Sequence, residues 1–378
     1  MKSTPACATA RPADCGAARS MTVLARPAPV SSPESARAQK IDFTRTPILA
    51  LTLLAACLGA PLVSSPAAAA PAALPAAPAS AASVNTDTPI WRATHSLLLG
   101  LARAGTRLVA VGTRGNILLS DDEGQTWRIA KSPTDEMLTA VVFTAPNEGW
   151  AVGQDERILH TTDGGNSWTQ QHFAADSDQA MFSIISLGGQ HLLATGAYNL
   201  TLETYDGGAH WKDGKVPDTD DDYHLNCAAA RGGDVLVTGE SGHAFIRYAG
   251  AWTAMKLPYD GSQFACLVGP QGSFWSFGLR GSAFKSEAGS TAWTRIDTHQ
   301  PYSFFGATNL SDGRMALVGS NGLVMLLDPV TGKSNVLRPV TDKAISSVVE
   351  GQGGKLIVVG SDGVHLIDPA AAQTGDDQ

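Results

Sequence analysis

Ser120-Asp121-Asp122-Glu123-Gly124-Gln125-Thr126-Trp127 sets the reading of this chain. The pattern Ser-x-Asp-x-Gly-x-x-Trp returns as Thr161-Thr162-Asp163-Gly164-Gly165-Asn166-Ser167-Trp168 and as Thr204-Tyr205-Asp206-Gly207-Gly208-Ala209-His210-Trp211. Copies at a period of about forty residues mark an internal repeat, and a repeat fixes architecture before any single residue does.

A second landmark keeps the same period. A short apolar run ends in glycine at Gly112, Gly153, Gly196, Gly239, Gly278, Gly319 and Gly360, at intervals of 41, 43, 43, 39, 41 and 41 residues. Each unit carries four strand signals. In the second they are Leu138 to Phe143, Gly149 to Val152, the alternating Arg157 to Thr161, and a run opening at Ser167-Trp168-Thr169. Turn residues separate them, and no helical period interrupts them. Four short antiparallel strands at this repeat length make a β-propeller blade. Seven landmarks predict an all-β, seven-bladed propeller over 88–370, with 371–378 as a disordered tail.

The last unit runs out after three strands. Thr88-Pro89-Ile90-Trp91-Arg92 resembles Gln125-Thr126-Trp127-Arg128, so this N-terminal segment is expected to supply the missing strand and close the ring, hiding the edges an open array would expose. Trp91, Trp127, Trp168, Trp211, Trp252 and Trp293 would then occupy one position in six blades. Val336 or Leu337 is the nearest apolar substitute in the remaining one.

Residues 1–65 read as leader and export signal. A basic flank precedes the apolar run 48–58, which is short for a membrane span. Its depth in the chain suggests a translation start downstream of Met1, with a genuine long leader as the alternative. Leu54-Ala55-Ala56-Cys57 has the form of a lipobox, which would make Cys57 a lipidation site. Cleavage at Ala67 to Ala70 is the alternative. Residues 66–87, rich in Ala and Pro, read as a semi-extended linker. Both routes predict an exported, periplasmic protein.

The bulk numbers exclude several classes. With 43% hydrophobic and 16% charged residues the chain is globular,. A net charge of −8 argues against a nucleic-acid binder,. No Cys-x-x-Cys or paired-His spacing suggests a metal, and no cofactor motif appears. The acidic run Asp218 to Asp222 lacks the Gly and distal Glu of a calcium loop and reads as a solvated turn.

The opening motif is identified as the Asp-box, or BNR repeat. Its Asp accepts hydrogen bonds from the turn's own backbone, its Gly permits positive φ, and its Trp buries a large ring between neighbouring sheets. Asp122, Gly124 and Trp127, Asp163, Gly165 and Trp168, and Asp206, Gly208 and Trp211 are therefore structural. The motif decays at Ser286 to Trp293 and keeps only Gly and Trp at Gly250-Ala251-Trp252, which suits interchangeable turns and not a site.

Together, the Val-Gly landmark and the Asp-box resemble the photosystem II stability and assembly factor family over about three quarters of the chain. That resemblance implies a non-catalytic, exported propeller that docks on a membrane-protein intermediate, acting as a monomer with a protein partner. The Ala- and Pro-rich signal suggests a bacterial, non-photosynthetic relative. The family is associated with arginines. The candidate protein-binding residues here are Arg114, Arg157, Tyr198 and Arg280, on hairpins following the landmark glycines. All these hairpins should share one face of the disc.

The competing reading is a carbohydrate-active or carbohydrate-binding propeller, because sialidases also carry Asp-boxes. It lacks Arg-Ile-Pro, and only Tyr302 with Glu287 or Glu350 could be forced into a nucleophile pair. Cys227 and Cys266 fall at what reads as the same position of two adjacent inner strands. An oxidising compartment would permit a disulfide. Small side chains demanded by a crowded axis, or strands too far apart to bond, are the other readings.

Overall fold

The structure, a computed structural model, describes residues 88–174, 177–214, 216–217 and 222–372. The leader and linker, Cys57, residues 218–221 of the acidic run and the tail from 373 lie outside the described residues.

Seven separate antiparallel sheets form, each with its strands in chain order. The blades cover 98–129, 138–172, 181–213, 227–256, 263–295, 304–336 and 345–367. The first strand of each blade lies beside the first strand of the next, and that of blade seven lies beside that of blade one, so the ring is closed. Between blades sit apolar layers, such as Val109, Leu119, Ala151, Leu159 and Trp168 between blades one and two.

The landmark glycines have a common cause. The N–H of the residue after each one donates to the carbonyl of a residue leading into the inner strand: Thr113 to Leu97, Gln154 to Met137, Ala197 to Ala180, Glu240 to His224, Leu279 to Ser262, Ser320 to Ser303 and Ser361 to Ala344. A Cβ on any of the seven glycines would collide with that same carbonyl oxygen. Gly112, at φ −174°, is simply extended. Close backbone approach, not an unusual dihedral, selects glycine here.

The Asp-boxes are self-contained turns. In blade two, Thr161 Oγ1 donates to Asp163 Oδ1 (2.9 Å) and accepts from the Gly165 N–H (3.0 Å). Ser167 donates to Asp163 through its N–H (2.9 Å) and its hydroxyl (2.6 Å), and Trp168 Nε1 donates to the Gly165 carbonyl (2.9 Å). Gly165 has φ 87°. Asp122 and Asp206 repeat the scheme with Thr126 and His210 as donors. Trp127, Trp168, Trp211, Trp252 and Trp293 each pack on the layer shared with the preceding blade.

Three expectations are corrected. Residues Ile90–Thr94 form a short helix, α1, and not a closing strand, so blade seven has three strands where the others have four. The Pro89 carbonyl accepts the Arg92 and Ala93 N–H groups, which starts a helical turn; Ala93 is buried while Trp91 is 61% exposed. Trp91 therefore leaves the tryptophan series. In blade six the matching position is Ser334, paired with Leu327 as Trp252 is paired with Arg247. Leu337 instead matches Ala130 and Ile296: each donates its N–H back to the residue opening the third strand, Val324, Ile117 and Ala283.

Cys227 and Cys266 are bonded, with Cα atoms 5.9 Å apart. They do not share a position. Cys227 pairs with Thr238 and Ala265 with Phe277, each just before its landmark glycine, so Cys266 lies one residue further along. Successive side chains of a strand point to opposite faces. The one-residue offset thus turns the two sulfurs toward each other across the blade four–five seam. The crowded axis is real as well: a Cβ on Gly100 would meet the Ala140 Cα at 3.0 Å.

Candidate functional site: the mouth of the axial channel

The hairpins after the landmark glycines share a conformation. Arg114, Asp155, Tyr198, Ser241, Arg280 and Asn321 all have φ between 52° and 58°. The blade-seven turn is tighter, with Gly360 paired directly to Gly363. These hairpins lie at the end of the disc where the inner strands begin, as the seven carbonyl bonds require.

At that end each inner strand carries an irregularity. Pairing skips Leu99, Thr139, Phe182, Phe264, Phe305 and Ser346, each a one-residue bulge, and Asn226 is their counterpart in blade four. A bulge re-aims the extra side chain. Here all seven line one cavity of about 560 Å³ at the mouth of the channel. Its remaining wall is Leu97, Met137, Gln154, Ala344 and Ser361, so no carboxylate, imidazole, amine or thiol faces it. Phe264 and Phe305 meet edge to face at 5.6 Å. Phe182 and Tyr198 both stand edge-on to His224, at 5.7 and 4.7 Å. The mouth mixes apolar side chains with the uncharged polar Thr139, Gln154, Asn226, Ser346 and Ser361, and its phenylalanines come from blades three, five and six.

The hairpin residues singled out from sequence divide. Tyr198 (51% exposed) and Arg280 stand open at the rim. Arg157 is 8% exposed, lies 3.6 Å from Asp155, donates to Gln170 and stacks on Phe173 at 4.3 Å. Its charge is used within blade two. Arg114 belongs to a separate cavity beside α1. The three arginines sit on blades one, two and five and form no patch. The sialidase-type set is equally scattered. Glu287 pairs with Lys285 (2.8 Å) at the turn after the third strand of blade five, and Glu350 accepts the Ser311 N–H and hydroxyl (both 2.7 Å) at the opposite end of the inner strand from the mouth.

The Asp-box carboxylates carry no reactive signature. Asp122 is held at about 2 by the Thr126 hydroxyl and N–H, against a small burial effect. Asp206 is held far below the usual carboxylate range by the His210 side chain and N–H. For Asp163 burial pushes upward, but the bonds from Ser167 and Thr161 outweigh it and the net shift is down. Carboxylates fixed in the ionised state by their own turn are poor proton donors.

Sequence reading missed the bulge ring. Its signal exists: the residue immediately before the small residue of each inner strand, 13 or 14 places ahead of the landmark glycine.

A family model described as photosynthesis system II assembly factor YCF48 matches residues 120–300. The photosystem II assembly lipoprotein Ycf48 of Synechocystis sp. (strain ATCC 27184 / PCC 6803 / Kazusa) is 39% identical over 64 residues, 17% of this chain and 19% of that protein. Several such matches span only about a fifth of the relative's length. The Ycf48 lipoprotein of Synechococcus sp. (strain CC9902) aligns over 278 residues at 25% identity, 66% of this chain and 81% of that one. A solved structure described as YCF48 bound to D1 peptide superposes with a TM-score of 0.60 at 18% identity, covering 72% of this chain and 93% of the other. A streptogramin B lyase superposes as well (0.62, 10% identity, 73% and 94%), so the fold by itself does not choose a function. The family match and the long alignment, on a shared seven-bladed fold, make this chain similar to the photosystem II assembly factors.

Proposed function

We propose that this is a non-catalytic, exported assembly factor whose channel mouth docks a segment of a membrane-protein partner. One observation carries the reading: the cavity where the seven inner strands converge is walled by apolar and uncharged side chains, with Phe182, Phe264 and Phe305 only partly buried. Such a wall can desolvate an apolar peptide side chain but offers no nucleophile, acid or base. Tyr198 and Arg280 stand at its rim to contact the flanking peptide. A relative of this fold is described as carrying a D1 peptide, and others are named photosystem II assembly proteins. For this chain the partner is a protein of a membrane complex, and the factor works as a monomer in the periplasm, lipid-anchored through Cys57. The Cys227–Cys266 bond supports an oxidising compartment,.

The test is capture from solubilised membranes of the exporting host. The parent protein is expected to recover one integral membrane complex. F264S/F305S, which changes only side chains at the mouth, should reduce recovery about tenfold or more, the scale of losing aromatic anchors, with little change in melting temperature. Recovery of glycan alone, or turnover of aryl glycosides, would overturn the reading.

A further inference from the structure

Helix α1 is flanked by a polar notch and by a groove of mixed lining. On one side is a notch of about 500 Å³ lined by Thr88, Arg92, Ser96, Thr113, Arg114 and Asn116. Neither guanidinium has an ion-pair partner among the described residues, and both arginines are exposed. Arg92 lies against its neighbour Trp91, its Cζ 5.2 Å from the ring centroid. On the other side is a groove of about 590 Å³ in which Ile90, Trp91, Trp127 and Leu366 stand beside Thr94, His95, Gln125 and His365. Ile90, Trp91 and Leu366 are 41%, 61% and 44% exposed.

We propose that this corner is a phospholipid site: the notch takes the phosphate of an anionic headgroup, and Ile90 and Trp91 rest at the acyl boundary. Charge complementarity favours it. Two unpaired arginines with hydroxyl and amide donors around them suit a phosphate's several oxygens, and they stand together in a chain of net charge −8. An exposed Trp beside Arg is the pairing that settles at a membrane interface, ring at headgroup depth and cation toward phosphate. Where the rest of the chain joins also favours it. The described chain begins at Thr88, in the wall of this notch, with 87 residues ahead of it. The inference stands apart from peptide docking at the channel mouth, which uses other residues.

The test uses the chain from residue 66 onward, which holds the whole closed propeller, so that neither the apolar run 48–58 nor an acyl chain on Cys57 contributes. Co-sedimentation with vesicles containing phosphatidylglycerol is compared with pure phosphatidylcholine. Binding is expected only to the anionic vesicles. R92Q/R114Q should weaken it about 25-fold, from about fivefold per arginine at an anionic surface. W91S should weaken it further, and R295Q, at an exposed arginine on blade five, should leave it unchanged. No binding to anionic vesicles overturns the proposal. So does an equal loss in R295Q, and so does stabilisation by inorganic phosphate without vesicle binding.

Discussion

Blade two and blade seven share their inner three strands and differ at the outer edge. In both, a landmark glycine lets the following N–H reach a carbonyl leading into the inner strand: Gly153 with Gln154 and Met137, Gly360 with Ser361 and Ala344. In blade two the chain then turns through the Asp163 box, seats Trp168 in the layer facing blade one, and adds Thr169–His172 as a fourth strand. In blade seven the third strand, Gly363–Ile367, leads through Asp368 into a short helix, α2 (Pro369–Ala372), and α1 lies against its edge. The ring therefore depends on inner strands and the layers between blades. The box and fourth strand reinforce a blade locally.

The sharpest way to break that contrast is through the two tryptophans that sequence alone would equate. W168A removes a ring that is 5% exposed and leaves a cavity between blades one and two. It should cost about 3–5 kcal/mol. W91A removes a ring that is 61% exposed and should stay within about 0.5 kcal/mol,. Denaturant titration of both variants measures the difference. Equal losses would mean that α1 carries the closing seam.

The seam between blades seven and one adds a polar clasp to its apolar layer of Leu108, Leu118, Ile357 and Val359. Arg103 pairs with Glu123 at 2.6 Å and donates to the Glu350 carbonyl at 2.9 and 2.8 Å, while Glu123 accepts the Gln352 N–H at 3.1 Å. Blade one thus grips both sides of the turn that ends blade seven's inner strand. R103A strands a half-buried carboxylate and a carbonyl, for a loss of about 1–3 kcal/mol. At the blade two–three seam a neutral tie, Gln171 to the Gly207 carbonyl (3.1 Å), does the same work, and Q171A should cost about 1 kcal/mol,. If R103A cost no more than Q171A, the clasp would be incidental to closure.

These comparisons show which features could be read from sequence. The landmark glycines were legible because one backbone contact repeats seven times and admits no Cβ. The Asp-box was legible because its bonds close within eight residues. The fate of Trp91-Arg92 was not, since the same letters as Trp127-Arg128 arrive without the preceding turn that would lay them along an outer edge. The cysteine offset was hidden because apolar strands give no fixed register, and one residue reverses the side chain. The bulge ring at the mouth, Leu99 to Ser346, exists only once seven strands converge, so each member looks unremarkable in its own blade.

The smallest expected effect concerns the Asp-box itself, which blade seven lacks. Asp163 and Asp122 have folded-state pKa values below the ordinary carboxylate value, that of Asp122 at about 2. For a group depressed on folding, the unfolded chain binds the proton first as pH falls. The stabilisation is therefore complete above about pH 4, near the unfolded value, and fades toward pH 2. D163N keeps one acceptor oxygen but replaces the other with a donor facing the Ser167 hydroxyl. Above pH 4 it should be less stable than the parent by about 0.5–1 kcal/mol, a modest figure because the turn is exposed to solvent. The gap should narrow as pH falls below about 4, because the parent's own carboxylate becomes protonated there,. Urea midpoints of parent and D163N across that range measure the narrowing. A gap independent of pH would mean that the turn needs the shape of Asp163 and not its charge.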